Sequence, residues 1–295
     1  METKSVVCRP EPDGGITVWP TAQSIHNVRQ LLGRIFHIPL NKINVHRVAI
    51  GGTFGSSIQM NSCIAVCAAL ALKAGKPVKL PLTREEDMYD HCKYPSIIQL
   101  KYGVKKDGTI TAGELKTIVD IGAHNIQAYP LLGCMSGWFV SLYRMPHMRF
   151  EGKTVYTNKA PACAMQGYGN PQVSFAVEST MDTIAEKLGM DPIELRLKNY
   201  VGLGETFWGQ GPTVRSIIRS CGVEEMLLKG RDMIGCDERG NPGEKTGRFR
   251  RGIGVGRSFH TSGTGAPMPG EVIDYSTAMV KVNEDGSVDF STALM

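Results

Sequence analysis

Two glycine-rich turns constrain this chain more than any other feature of its sequence. The first, GGTFGSS (51–57), follows the β-branched run INVHRVAI (43–50) and leads into the apolar stretch IAVCAALALKAG (64–75). The second lies in APACAMQGYGNPQ (160–172), where Gly167-Tyr168-Gly169 opens a long helix and Pro171 falls in its first turn. Each turn carries one aromatic and each feeds a helix. A helix N-terminus offers backbone N–H groups to an anion, and glycine lets a ligand approach the backbone closely. Two such turns can approach one ligand from two sides. They can equally be independent turns with buried aromatics.

Neither nucleotide-binding template fits. A phosphate loop needs G-x-x-x-x-G-K-[ST], yet Ser56 and Ser57 occupy the sixth and seventh places counted from Gly51. A dinucleotide fingerprint needs G-x-G-x-x-G, and Thr53 stands where its second glycine belongs. There is no G-x-S-x-G elbow and no H-E-x-x-H pair. The acidic cluster REEDMYD (84–90) reads as a solvated helix start rather than a metal site. His91 and His124 are the histidines most readily placed beside a cavity, although a lone histidine is more often structural or exposed. Chemistry in such a chain has to come from a cofactor.

The bulk numbers exclude several classes. A net charge of +5 over 295 residues is too small to indicate nucleic acid, and the densest basic stretch, GRFRRG (247–252), reads as an exposed loop. No apolar run reaches the ~18 residues of a membrane span. The polar opening METKSVVCRPEPDGG is no secretory signal. Eight cysteines without a C-x-x-C pair fit a reducing cytoplasm, with Cys63 and Cys67 as small core residues of one helix.

Along the chain, residues 5–19 read as two strands around a DGG turn and 24–38 as a helix with Ile25, Val28, Leu31, Leu32 and Ile35 on its apolar side. A strand over 41–50, the first loop, a helix and a strand over 76–83 follow. IIQLKYGVKKDGTITAGELKTIVDIGAH reads as a meander turning at KKDGT, with RFEGKTVYTN as a further strand. The helix after the second loop places Phe175, Val177, Met181, Ile184, Ala185 and Leu188 on one face and closes at Gly189. Asp191 and Pro192 cap the next helix. Residues 203–247 form a connecting segment with a small helix. A new strand set then starts at RRGIGVGRSF and ends in a hairpin running to residue 295.

With these elements in order, a resemblance emerges. TAQ (21–23), GGTFG (51–55), TNKAPACAMQGYGNPQ (157–172) and MDTIAEKLGMDPIELRLKN (181–199) stand in the order and spacing of the molybdenum-cofactor subunit of the xanthine dehydrogenase and aldehyde oxidoreductase family. The likeness covers about 1–203 and is weaker over 249–295. It implies an α+β fold, with antiparallel hairpins interleaved with helices. The expected domains are a first molybdopterin-binding domain at 1–203, a connecting segment at 204–246 and the start of a second such domain at 247–295. It implies molybdenum held by a molybdopterin, often in a cytosine dinucleotide form, with no direct side-chain ligand. Iron–sulfur (2Fe–2S) and FAD groups would sit on partner subunits or domains and accept the electrons, while water supplies the oxygen to an aldehyde or N-heterocycle.

By the same resemblance, Gln23 matches the family glutamine that hydrogen-bonds a molybdenum oxo ligand. Gly52, Thr53, Phe54 and Gly55 match the loop lining metal and pterin, with Phe54 beside the metal. Gln166, Gly167, Tyr168 and Gly169 match the second cofactor loop, with Tyr168 against substrate. Departures from the family pattern are Ser56-Ser57 for glycine and lysine, Gln166 for arginine, Ile58 for an acidic residue, and Cys134 near an arginine position. Ile58, Cys134 and Tyr168 therefore outline a less charged substrate pocket than purine oxidisers carry. The family's C-terminal glutamate base has no counterpart in these 295 residues. The resemblance thus implies that this chain alone does not turn over: either another chain carries the remaining half of the site, or the chain is a fragment or a degenerate paralogue. The alternative is a non-catalytic or degenerate scaffold that retains the fold. A free-standing nucleotide-binding domain is a weaker third reading.

Overall fold

The structure is a computed structural model and describes residues 2–58, 60–207, 216–236, 247–249, 252–260 and 278–292. Its packing separates a large unit, Met1–Phe259, from a small one, His260–Met295.

The large unit begins with a four-stranded sheet. Strands β1 (Ser5–Pro10) and β2 (Ile16–Pro20) form the expected antiparallel pair around the DGG turn. Helix α1 (Ile25–Phe36) follows, burying Val28 and Leu32 one turn apart, while Ile35 remains nearly half exposed. Strand β3 (Ile43–Val45) pairs parallel with β2. It is much shorter than the run 41–50 suggests, because β2 ends at Pro20, which has no N–H to continue a ladder. Helix α2 (Ser62–Ala74) leads to β4 (Val78–Pro81) on the outer side of β1, giving the order β3-β2-β1-β4. Cys63, Ile64, Cys67 and Ala68 of α2 pack onto Val6, Cys8, Ile16 and Val18. The two helix cysteines are thus core residues, and burial pushes the Cys63 thiol up to about 12. Helix α3 (Arg84–Asp90) starts with a capping box between Thr83 and Glu86.

The second half builds a three-stranded sheet. After β5 (Cys92–Lys93), β6 (Ser96–Val104) and β7 (Ile110–Asp120) form the hairpin expected at KKDGT. The meander ends there. Helix α4 (Ala128–Leu142) crosses over, and β8 (His147–Val155) pairs parallel to β7, making a strand–helix–strand unit. Sequence reading misses α4 because AYPLLGCMSGWFVSL is apolar on every side and broken by Pro130, Gly133 and Gly137, so no 3.6-residue period stands out. Strand β9 (Ala162–Cys163) pairs parallel with β5. Helix α5 (Asn170–Leu188) buries Val173, Val177, Met181 and Ala185. Phe175 is 77% exposed, a correction to the expected apolar face, since two residues carry the chain about 200° around a helix from Val173. Gly189 caps α5 and Asp191 accepts the amides of Ile193 and Glu194 at the start of α6 (Pro192–Asn199).

The large unit closes with the short pair β10 (Thr206–Phe207) and β11 (Ser216–Ile217) and helix α7 (Val223–Ile234). Within the expected connecting segment, 208–215 and 237–246 lie outside the described residues. The strand expected at RRGIGVGRSF is absent over 252–260: Gly252, Gly254 and Gly256 weaken any strand there. Arg250 and Arg251 of that run lie outside the described residues. The small unit contains the hairpin β12 (Ala278–Val282) and β13 (Val288–Thr292), turning through Asn283–Ser287. Residues 293–295 lie outside the described residues. Among those described, no helix is long and apolar enough to cross a membrane.

Candidate functional site

The two glycine turns meet. The Gln166 N–H donates to the Phe54 carbonyl over 2.8 Å, and Gly55 packs against the backbone of Ala164. Gln23 joins the same assembly, its N–H donating to the Ser57 carbonyl over 2.8 Å. Three separate segments, the last more than a hundred residues beyond the first two, therefore share one surface.

That surface is conformationally unusual. Among the described residues four non-glycine residues have positive φ, and Phe54, Gln166 and Tyr168 are three of them. With Gly167 and Gly169, the run 166–169 has φ of 49°, 100°, 44° and 90° in succession. The non-glycine positions among these each cost about 1–3 kcal/mol and persist where the surroundings over-determine them. The surroundings do so here. A Cβ on Gly169 would meet Met135 Cγ at 2.7 Å and Leu131 Cδ1 at 2.9 Å, both from α4. The Tyr168 hydroxyl donates to the Gln127 carbonyl, and its ring lies edge-on to Tyr94 at 6.1 Å.

In the first loop every carbonyl from Thr53 to Ser57 has a donor inside the protein. Thr53 accepts from Ser56 N–H, Phe54 from Gln166, Gly55 from Ile58, Ser56 from the His91 ring and Ser57 from Gln23. With the carbonyl oxygens turned inward and satisfied, the loop does not present them as repulsive partners to an anion. Thr53 is buried while Phe54 is 59% exposed, so the aromatic stands out from the turn. Ser56 and Ser57, the departures from the family pattern, are both buried. Ile58 continues the loop, and Cys134 lies on α4 beside Met135, which touches Gly169.

Two polar atoms at this surface lack partners. Gln23 Oε1 and Ser57 Oγ are buried with no hydrogen bond. A buried polar group without a partner is costly, so a polar ligand there would relieve it. Among the described residues no group of three or more His, Cys, Asp or Glu side chains could hold a metal ion. The donor set, made of backbone amides, an amide side chain and a hydroxyl, suits the polar edges and phosphate of a large organic cofactor. Any metal would be carried by that cofactor.

Sequence reading missed the residues behind the loops. Lys93 donates to the Gln166 carbonyl over 3.0 Å, and burial pulls its ammonium pKa down. The acidic cluster is only half solvated: Glu85 and Glu86 are exposed, but Asp87 is buried on Lys4 at 2.7 Å, and Asp90 is buried against His91. Helix α3 turns those two carboxylates inward, which a cluster of charges in sequence does not reveal. His124 is exposed and His91 buried.

Comparison with known proteins identifies the architecture. Residues 1–200 match the molybdopterin cofactor-binding domain family. The chain is 32% identical over 291 residues to the putative xanthine dehydrogenase molybdenum-binding subunit of Escherichia coli, covering 98% of this chain and 38% of that protein. It is 34% identical over 247 residues to the aldehyde oxidoreductase of Megalodesulfovibrio gigas, covering 83% of this chain and 26% of that protein. The solved structure of an aldehyde oxidoreductase from Desulfovibrio gigas superposes with a TM-score of 0.82 at 27% identity, over 98% of this chain and 30% of that one. The chain thus spans well under half of the length of these relatives.

Proposed function

The chain belongs to the molybdopterin cofactor-binding domain family, of the xanthine dehydrogenase and aldehyde oxidoreductase type, and we propose that Gln23 and its two glycine loops form one wall of the cofactor site. The observation that carries the reading is the Gln166-to-Phe54 hydrogen bond, which makes two distant loops a single surface, with Gln23 bonded to it through Ser57. Gly52, Thr53, Phe54 and Gly55 line the metal side of the cofactor. Gln166, Gly167, Tyr168 and Gly169 line the pterin, and close backbone approach there needs the missing side chains of the glycines. Gln23 offers its amide at the metal end, where a neutral donor suits an oxygen ligand. When bound, the cofactor supplies two-electron oxidation with water as the oxygen source.

The substrate on this reading is an aldehyde or N-heterocycle. Ile58 and Cys134 offer no charge to hold a purine, and Tyr168 supplies an aromatic contact. Electrons leave to an iron–sulfur and FAD partner, in a cytoplasmic assembly. The domain limits 1–203, 204–246 and 247–295 are part of the same proposal. The test is molybdenum content of the chain expressed with its neighbouring gene products. Near-stoichiometric metal is expected, together with loss of turnover in Gln23→Ala at unchanged metal content. A folded, complete assembly without molybdenum would overturn the proposal in favour of a fold-retaining scaffold.

A further inference from the structure

His91 lies directly behind the first loop, its ring held between two acceptors. Nε2 is 2.7 Å from the Ser56 carbonyl oxygen and Nδ1 is 2.7 Å from Asp90 Oδ2. A carbonyl cannot donate, so Nε2 carries a proton. Asp90 Oδ2 faces Nδ1 at ion-pair distance, and an ionised carboxylate cannot donate either, so Nδ1 carries one as well. Burial alone would neutralise Asp90, but hydrogen bonds from His91 and Ser62 and the charges of His91 and Lys4 hold its carboxyl below the ordinary range.

Charge counting agrees with the geometry. Two carboxylates, Asp87 and Asp90, are buried here, and buried charges need partners. Lys4, itself buried, is 2.7 Å from Asp87 and 3.8 Å from Asp90. Arg84 reaches Asp87 only from the half-exposed rim, at 3.4 Å. The second buried cation is the His91 ring. From the other side, the Cys163 thiol of β9 faces the same imidazole.

We propose that His91 is a buried imidazolium that positions the first loop of the cofactor wall by donating to the Ser56 carbonyl. Its neighbours in the loop, Phe54 and Ser57, spend their carbonyls on Gln166 and Gln23. His91 is therefore the side-chain member of the set of donors that fixes the turn. Its significance for catalysis rests on the cofactor reading above; its charge and its hold on the loop do not. Although burial pulls its pKa down, the close Asp90 carboxylate and the Cys163 contact outweigh it and raise the imidazole from 6.5 to about 10. The contact's contribution is complete below the ordinary imidazole value and is lost as pH rises through about 10.

The test uses the full chain without cofactor. Long-range proton–nitrogen NMR at about pH 8.5, roughly two units above the ordinary imidazole value, should show one histidine with both ring nitrogens protonated. That signal should vanish in His91→Gln. In His91→Ala, amide exchange of Gln166 and Gln23 should accelerate by at least about tenfold relative to the β6–β7 amides, and His91→Gln, which keeps a neutral donor, should restore part of the protection. A neutral His91 tautomer at that pH, or unchanged exchange at both amides in a folded His91→Ala, would overturn the proposal. Should His91→Ala fail to fold, the wild-type spectrum and His91→Gln exchange still decide. Because no molybdenum is involved, failure here is separable from failure of the cofactor assignment.

Discussion

The second loop concentrates its constraint in individual residues. Gly169 has φ of 90° and no room for a methyl group against Met135 and Leu131, two side chains of the packed core. Gln166 has φ of 49° but pays for it only in backbone conformation, since its N–H and carbonyl make the contacts with Phe54 and Lys93. The two positions therefore respond in opposite directions. Gly169→Ala combines strain with overpacking and is expected to destabilise by about 2–4 kcal/mol. Gln166→Gly relieves a left-handed residue worth roughly 1–2 kcal/mol and is expected to be neutral or stabilising. Urea denaturation of the two variants checks this, and a stable Gly169→Ala would mean that α4 does not press on the loop.

At the level of elements, legibility followed periodicity. Helices α1, α5 and α6 announce themselves through apolar spacing and caps, and the β1–β2 and β6–β7 hairpins through their turns. Helix α4 did not, because a helix apolar in sequence on every side lacks the contrast that marks a face. Its absence also concealed the parallel β8, since only a crossover element lets β8 run beside β7 in that direction. The residues proposed for the site, its glycines and Gln23, stand out in sequence because they sit in short motifs. Its support stands out less: Lys93 and Lys4 are ordinary residues in sequence, and His91, singled out only as a histidine that can line a cavity, acquires its meaning from what packs against it. The cap of α6 is a case where local sequence suffices. Asp191 accepts two helix-start amides, at 2.7 and 3.1 Å. Asp191→Ala should cost about 1 kcal/mol, as N-cap losses do, while Asp191→Asn or Asp191→Ser should recover most of it in the same thermal melts.

Across the large unit, the element contacts converge on a buried charge cluster. The Arg196 side chain, fully buried on α6, binds Glu178 Oε2 and Asp182 Oδ1 of α5 at 2.7 Å each, and its remaining donors reach the Glu178 and Pro192 carbonyls. Tyr143, just after α4, donates to the other Glu178 oxygen at 2.7 Å. Arg257 lies over the Tyr143 ring at 5.2 Å and donates to the Leu142 carbonyl, so the irregular segment 252–259 is tied to the same point. Replacing such a cluster by apolar residues need not weaken a protein, but removing one partner leaves a charge stranded in low dielectric. Glu178 is the member whose loss strands most: Arg196 and the Tyr143 hydroxyl both depend on it. Asp182, half exposed, has water to fall back on. Glu178→Gln is therefore expected to cost about 3–5 kcal/mol, whereas Asp182→Asn should cost no more than about 1 kcal/mol. Equilibrium unfolding in urea separates the two. Equal effects would place the stabilising charge at the rim, and would make Arg196 a surface residue in energetic terms despite its burial.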